Sequence, residues 1–266
     1  MKALGAFSVK SYNQPRRDQR QQVAAAARAE NIAVVAEGGS LYSMDITIVQ
    51  DGNTTLEHNI PQARLYEDVL SFYSQTNVGY TPTLVVTYGG LAGDPYWAQA
   101  TQVWDHPLLT RHAPADALAD RVRAQTAPPD QFVDQVSARE ADRLAERGVP
   151  VSIGAHGQQQ GLGSHWEMWS FVRGGMTPIE ALRAATAVPA QAYGFTDIGT
   201  IEPGKLADLV ILEADPTQDI RNSERIDRVM LNGRLYEAET LNEVVTGARR
   251  RQPYFWEDSA PPAAGE

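Results

Sequence analysis

The chain has 266 residues, of which 42% are hydrophobic, 21% charged and 8% aromatic, an ordinary globular composition that argues against disorder or a fibrous repeat. Thirty-three acidic against 23 basic residues give a formal charge of −10, and the one run of three bases is Arg249 to Arg251, so neither a phosphate backbone nor an anionic membrane is an expected partner. The absence of cysteine excludes disulfides, thiolate nucleophiles and cysteine-ligated metals, so a metal here would need His, carboxylate or modified lysine.

Short apolar runs recur through the first 160 positions: Ala3 to Val9, Ile32 to Ala36, Thr54 to Leu56, Leu84 to Thr87 and Val149 to Ile153. They read as buried parallel strands. Arg16 to Glu30, rich in Gln, Arg and Ala, reads as a helix on propensity. Pro61 to Gln75 reads as another, with Leu65, Val69, Leu70 and Phe72 as its apolar stripe. The spacing of these runs is that of βα units, so an α/β fold with a parallel sheet or barrel is expected. Met1 to Gly5 leads into Lys10, Arg16 and Arg17 rather than a signal-peptide core, and no apolar run approaches a membrane span, so a soluble, untargeted chain is expected, cytoplasmic as written.

Gly89 to Asp130 breaks the rhythm with five prolines and reads as an excursion over the barrel mouth, with His106 and His112 in structural or solvent-facing roles. Asp130 to Gly148 reads as a helix with Phe132, Val136 and Leu144 inside, stopped by Gly148. Ser164 and Glu167 have the spacing of a capping box at the start of a helix running through Val172 and Gly174. Beyond Gly194 the pattern changes. Thr200 to Gly204, Ala207 to Leu212 and Arg228 to Tyr236, with an Asn232-Gly233 turn, read as short antiparallel strands of a small β subdomain. The expected division is a barrel region over 1–195, a small β subdomain over 196–248 and a tail over 249–266, its last part from Ser259 to Glu266 disordered.

Strand C-termini form the reactive face of a (β/α) barrel, and four polar residues fall there: Lys10, Glu37, His58 and His156. Two imidazoles and a carboxylate suit a divalent cation, zinc first and manganese or iron next, with Lys10 a donor only after carboxylation removes its charge. A lone histidine at a strand end serves equally well as a hydrogen-bonded structural residue, and Lys10 as a solvated one. The glycine-rich exit from Gly154 to Gly163 runs into His165. Gln158, His165 and Tyr88 are therefore candidate substrate contacts. The chain has no Gly-x-Ser-x-Gly elbow, Walker loop or His-Glu-x-x-His helix.

Gly174-Gly175-Met176-Thr177-Pro178, the run Glu180 to Thr186, and Ile198 to Val210 closely resemble the C-terminal signature of the amidohydrolase superfamily. The resemblance extends upstream to Asp51-Gly52, Glu57-His58-Asn59-Ile60-Pro61, Tyr80-Thr81-Pro82-Thr83-Leu84, Gly154-Ala155-His156-Gly157-Gln158 and His165-Trp166-Glu167. It is nearest to the branch often fused to TolB-like propeller repeats. The resemblance implies a partial (β/α) TIM-like barrel of the amidohydrolase type with a small C-terminal β subdomain, and hydrolysis by metal-activated water of amide, ester or lactam bonds in small molecules or short peptides. It matches Lys10 to the family's carboxylated strand-4 lysine and His58 to its strand-6 histidine. The remainder departs: Glu37 stands where a histidine is usual, His156 stands where the aspartate general base is usual, and no His-x-His pair occurs. In this reading His156 is metal ligand and base, and His58 is a catalytic ligand. The match begins at strand 4, so the expectation is either a homo-oligomer completing the barrel or a truncated enzyme. The competing expectation is an inactive oligomeric binding or scaffold protein.

Overall fold

A computed structural model describes residues 2–119 and 126–257. Four short strands, β1 (Ser8–Ser11), β2 (Ala33–Glu37), β3 (Thr55–Glu57) and β4 (Gly79–Thr81), pair in parallel in sequence order. Helices α1 (Arg17–Ala29), α2 (Tyr42–Gln50) and α3 (Glu67–Ser74) form the crossovers. Val151 bridges in parallel to Tyr80, which extends the sheet by one position beyond β4. The result is the expected α/β fold, consistent with part of a barrel; no closed barrel forms among the described residues.

The helices follow from composition and the strands from burial. α1 carries consecutive alanines and turns Ala24 and Ala27 inward, while its buried Arg20 donates to the Gln14 carbonyl and the Thr47 hydroxyl, each 2.8 Å away. The core lies between the sheet and its helices, where Leu56, Ile48, Leu70, Tyr73, Leu84 and Leu144 are buried. Burying such a side chain is worth about 1.5–3 kcal/mol relative to leaving it exposed.

Beyond β4 come α4 (Gly93–Thr101), α5 (Pro107–His112), α6 (Ala115–Ala119), α7 (Asp134–Ala145), α8 (Leu162–Gly174), α9 (Pro178–Ala184) and α10 (Ala187–Ala192). Thr177 and Glu180 form a reciprocal capping box at α9, with Pro178 in its first turn. An antiparallel sheet of β5 (Leu209–Leu212), β6 (Ile226–Leu231) and β7 (Arg234–Glu237) follows, in that order. Its hairpin turns at Asn232 and Gly233, both at positive φ, the geometry that Asn-Gly favours.

Several expectations need correction. Ala3 to Val9 is not a strand: a short 3-10 turn covers Lys2–Leu4, and the strand lies at Ser8–Ser11. Leu84 to Thr87 is also not a strand; Leu84–Val86 form a 3-10 turn, and the sheet takes Gly79–Thr81 instead. Val136 is half-buried rather than internal, and Thr200 to Gly204 is a turn and not a strand. The spacing of Ser164 and Glu167 does not make a cap, because α8 begins at Leu162 and its N-cap is Gly161. The expected disorder from Ser259 to Glu266 lies outside the described residues. Among the described residues no helix is long and apolar enough to cross a membrane.

Candidate functional site

Parallel register sets the site. Lys10 pairs with Val35, Glu37 with Glu57, and Glu57 with Thr81, so the C-terminal ends of four adjacent strands form one rim. Glu37 is the last residue of β2, and His58 follows β3 directly. His156 arrives on the chain leaving Val151. His58 and His156 both hold positive φ, at 72° and 52°. Such left-handed non-glycine residues cluster at functional sites, where the surroundings enforce them.

The structure brings six of the candidate residues together. Lys10 Nζ lies 2.6 Å from Glu37 Oε2, and His58 Nε2 lies 3.9 Å from Glu37 Oε1. The His58 and His156 rings are 5.2 Å apart, and Tyr88 meets His58 edge to face at 5.5 Å. His156 Nδ1 is 3.0 Å from Gln158 Oε1. An amide oxygen only accepts, which assigns the proton to Nδ1 and leaves Nε2 as the basic nitrogen. His165 is not part of this group: its Nδ1 bonds Ser223 Oγ at 3.1 Å.

Burial sets the charge states. Desolvation pushes the His58 pKa down, Glu37 pulls it up by a smaller amount, and His156 and Lys10 push it down further, so the ring is neutral at pH 7. The neighbouring Glu57 is also buried and its pKa is raised by desolvation, against the hydroxyls of Thr55 and Thr81. Lys10 is half exposed and Glu37 almost wholly enclosed, so the ammonium sets a counter-charge against a carboxylate that little water reaches.

Residues that the sequence did not mark as site residues hold the rim in place. Asn59 accepts from the Tyr88 backbone N–H at 2.6 Å and donates to Ser137 Oγ at 3.1 Å, which fixes Tyr88 beside His58. Asp45, fully buried, accepts from Gly39 N–H at 3.0 Å, and desolvation pushes its pKa up to about 7. Gly38 is required there: a Cβ would sit 2.6 Å from Asp45 Oδ1 and 2.9 Å from Leu56 Cδ1. Glu167 from α8 accepts Val85 N–H at 2.7 Å and Gly154 N–H at 3.2 Å, tying the segment after β4 to the exit that carries His156. Its burial is complete and raises its pKa to about 8. Gly154 is equally confined, since a Cβ would meet Thr81 Cγ2 at 2.6 Å and Thr83 Oγ1 at 2.7 Å. Asn59 adjoins His58 and Glu167 lies within the helix opening, so nearness to the motif was the one available signal.

The expected divalent ion meets donors of suitable kind but not of suitable arrangement. His58 Nδ1 is buried without a hydrogen-bond partner, which is the orphaned donor atom a metal would satisfy. Against this, the Glu37 carboxylate already faces an ammonium, and among the described residues no three of His, Asp or Glu converge to hold an ion. With Lys10 an ammonium, these residues do not form a metal centre.

The family model described as the amidohydrolase family matches residues 16–236. Imidazolonepropionase of Shouchella clausii is 32% identical over 142 residues, covering 49% of this chain and 31% of that protein. A solved Xaa-Pro dipeptidase with methionine in its active site superposes with a TM-score of 0.62 at 21% identity, over 89% of this chain and 56% of that one. Molinate hydrolase gives a TM-score of 0.60 at 19% identity, over 92% of this chain and 49% of that one. The chain therefore spans about half the length of these solved structures, and its matches cover less than a third of the curated relatives. At such identities the superpositions speak for the fold.

Proposed function

This chain belongs to the amidohydrolase family, and from that premise we propose that its rim serves a hydrolase acting on an amide, ester or lactam bond of a small molecule or short peptide. The observation that carries the proposal is the meeting of a buried neutral His58, His156 and Glu37 at adjacent parallel strand ends, the face on which barrels of this kind place their chemistry. The relatives named as a dipeptidase and as molinate hydrolase accord with that reaction class.

The residues divide the work by geometry. His156, with its proton held on Nδ1 by Gln158, offers Nε2 as general base to a water attacking the carbonyl carbon. The water oxygen bonds that carbon, His156 takes the proton, and the proton passes to the leaving nitrogen or oxygen as its bond to carbon breaks. Tyr88 and Gln158 border the place a substrate would occupy. The divalent metal expected from the sequence, zinc, manganese or iron, requires Lys10 to exchange its ammonium for a carbamate before Lys10, Glu37, His58 and His156 act as donors.

Elemental analysis of the purified protein, together with hydrolysis of activated esters and anilides, tests this. Near-stoichiometric metal that disappears in His58→Ala, with a fall in rate of about 100-fold or more, supports a metal-dependent hydrolase. Activity unchanged in a folded His58→Ala protein removes His58 from the mechanism. No bound metal, and no activity on adding one, favours a second reading, an inactive oligomeric binding or scaffold protein. The Lys10–Glu37 ion pair is the observation on its side.

A further inference from the structure

A cavity of about 880 Å³ lies beside the rim and not within it. Its volume is that of a pocket for a small organic molecule. The walls come from α5, α6, the 157–162 loop, the start of β6 and the segment at Phe255 and Trp256. We propose that this cavity binds the part of the substrate that carries an apolar body and a protonated amine. The inference rests on the hydrolase reading above and deepens it.

The body is set by the walls. Leu109, Leu118, Leu162, Ile226 and Trp256 line the space. Trp256 is held rigidly, stacked on Tyr254 with ring centroids 4.4 Å apart and planes at 10°. Tyr254 is fixed in turn by His112, whose Nδ1 lies 2.9 Å from the tyrosine hydroxyl while its Nε2 bonds the Glu239 carbonyl at 3.0 Å. A carbonyl only accepts, so His112 Nε2 carries the proton and Nδ1 accepts from Tyr254. His112 is thus a strut with both nitrogens occupied.

The charge is set by what lines the pocket. Glu224 is the one carboxylate among the described lining residues, and no Lys or Arg lies among them. His106 Nδ1 accepts from the Leu109 N–H at 3.4 Å, which places its proton on Nε2, 3.4 Å from Glu224 Oε2. His106 is the side chain that faces Glu224 from the cavity wall, and no lysine or arginine of the lining does. His165 is kept neutral, its pKa lowered by burial. An anionic group entering here would meet the Glu224 carboxylate with no lysine or arginine in the lining to offset it, and a purely apolar group would strip water from that carboxylate. A protonated amine on an aryl or alkyl body avoids both costs, pairing with Glu224 and resting near the Trp256 ring.

Gln158 makes this pocket part of the same site. It lines the cavity and is also the hydrogen-bond partner of His156. A substrate with its scissile bond at His156 and its amine-bearing part past Gln158 fills both.

Calorimetric titration of the full chain with 2-phenylethylamine, 2-phenylethanol and 3-phenylpropionate tests the assignment without requiring turnover. The amine is expected to bind at least about tenfold more tightly than the carboxylate, consistent with one charge-assisted hydrogen bond. Glu224→Gln should weaken the amine at least about fivefold and leave the alcohol unchanged. Ala117→Trp, an exposed helical position on the cavity wall, should weaken all three probes. Absence of amine binding, a carboxylate that binds equally well, or an amine affinity untouched by Glu224→Gln overturns the proposal. If amine binding fails while ester or amide hydrolysis persists, the pocket assignment falls alone. Amine binding in a protein that hydrolyses nothing overturns the hydrolase reading and leaves a ligand site.

Discussion

The parallel sheet β1–β4 and the antiparallel sheet β5–β7 solve the same problem differently. All three residues of β4 are buried and β2 ends on two buried residues, whereas no residue of β5, β6 or β7 is buried. Val210 and Leu231 are among the large apolar side chains left exposed on the small sheet. A parallel sheet needs crossover helices, which α1 to α3 supply, while an antiparallel hairpin closes locally and can leave a face open. The lesson concerns chemistry as well as stability. Strand ends fixed by burial can hold His58, Glu37 and His156 in one place; the small sheet instead lends Ile226, at the start of β6, to a pocket wall.

Substitutions can break that contrast. Leu56→Ala, in the middle of β3 and fully enclosed, should cost about 2–5 kcal/mol in urea unfolding. A loss below about 1 kcal/mol would show that the parallel sheet is not the stabilising half. Glu167→Met, of similar length, strips the acceptor from Val85 and Gly154 N–H groups and should cost about 1–3 kcal/mol for each donor left unpaired. It should also increase amide exchange at Gly154; unchanged protection there would mean that Glu167 does not hold the exit carrying His156.

A pH series sharpens the same point. Glu167 ionises at about 8 in the folded protein against 4.5 for the free side chain, because burial opposes its charge. The native state then binds more protons than the unfolded state between those values, so stability falls as pH rises through the window, by up to about 1.4 kcal/mol per pH unit. Asp45 acts in the same direction from 3.8 to about 7. Between pH 7 and 8 Glu167 contributes more of the slope than Asp45, so Glu167→Gln should flatten that part of the curve. A slope that survives the substitution would assign it to other groups. The smallest effect belongs to the open sheet: Val210→Ser, at a position 57% exposed, should change the unfolding free energy by less than about 0.5 kcal/mol. A larger loss would mean that this face is covered in solution.

Local chemistry was legible where it acts alone. Alanine-rich α1 and the Asn232-Gly233 hairpin each form for reasons contained within a few residues. The strand after α3 was not legible. Leu84 to Thr87 has the apolar look of a buried strand, yet the sheet uses Gly79-Tyr80-Thr81, since short apolar runs do not distinguish a strand from any other buried segment. The glycine fits because a Cβ at position 79 would sit 3.1 Å from the Thr55 side chain on the adjacent strand. The apparent cap at Ser164 and Glu167 failed for a related reason: Glu167 is drawn inward by two distant backbone donors, which outweigh a local bond at the helix start.

The sequence by itself determined the α/β class, the family signature and the residue types at the strand ends, because periodicity, propensity and motif spacing are properties of neighbours along the chain. Only the tertiary structure decided that Lys10 pairs with Glu37, that His58 is buried and uncharged, that Gln158 orients His156, and that His165 lies in the adjoining cavity with Glu224. Each of those depends on distance and solvent access between segments remote in sequence, and charge states follow from exactly those two quantities.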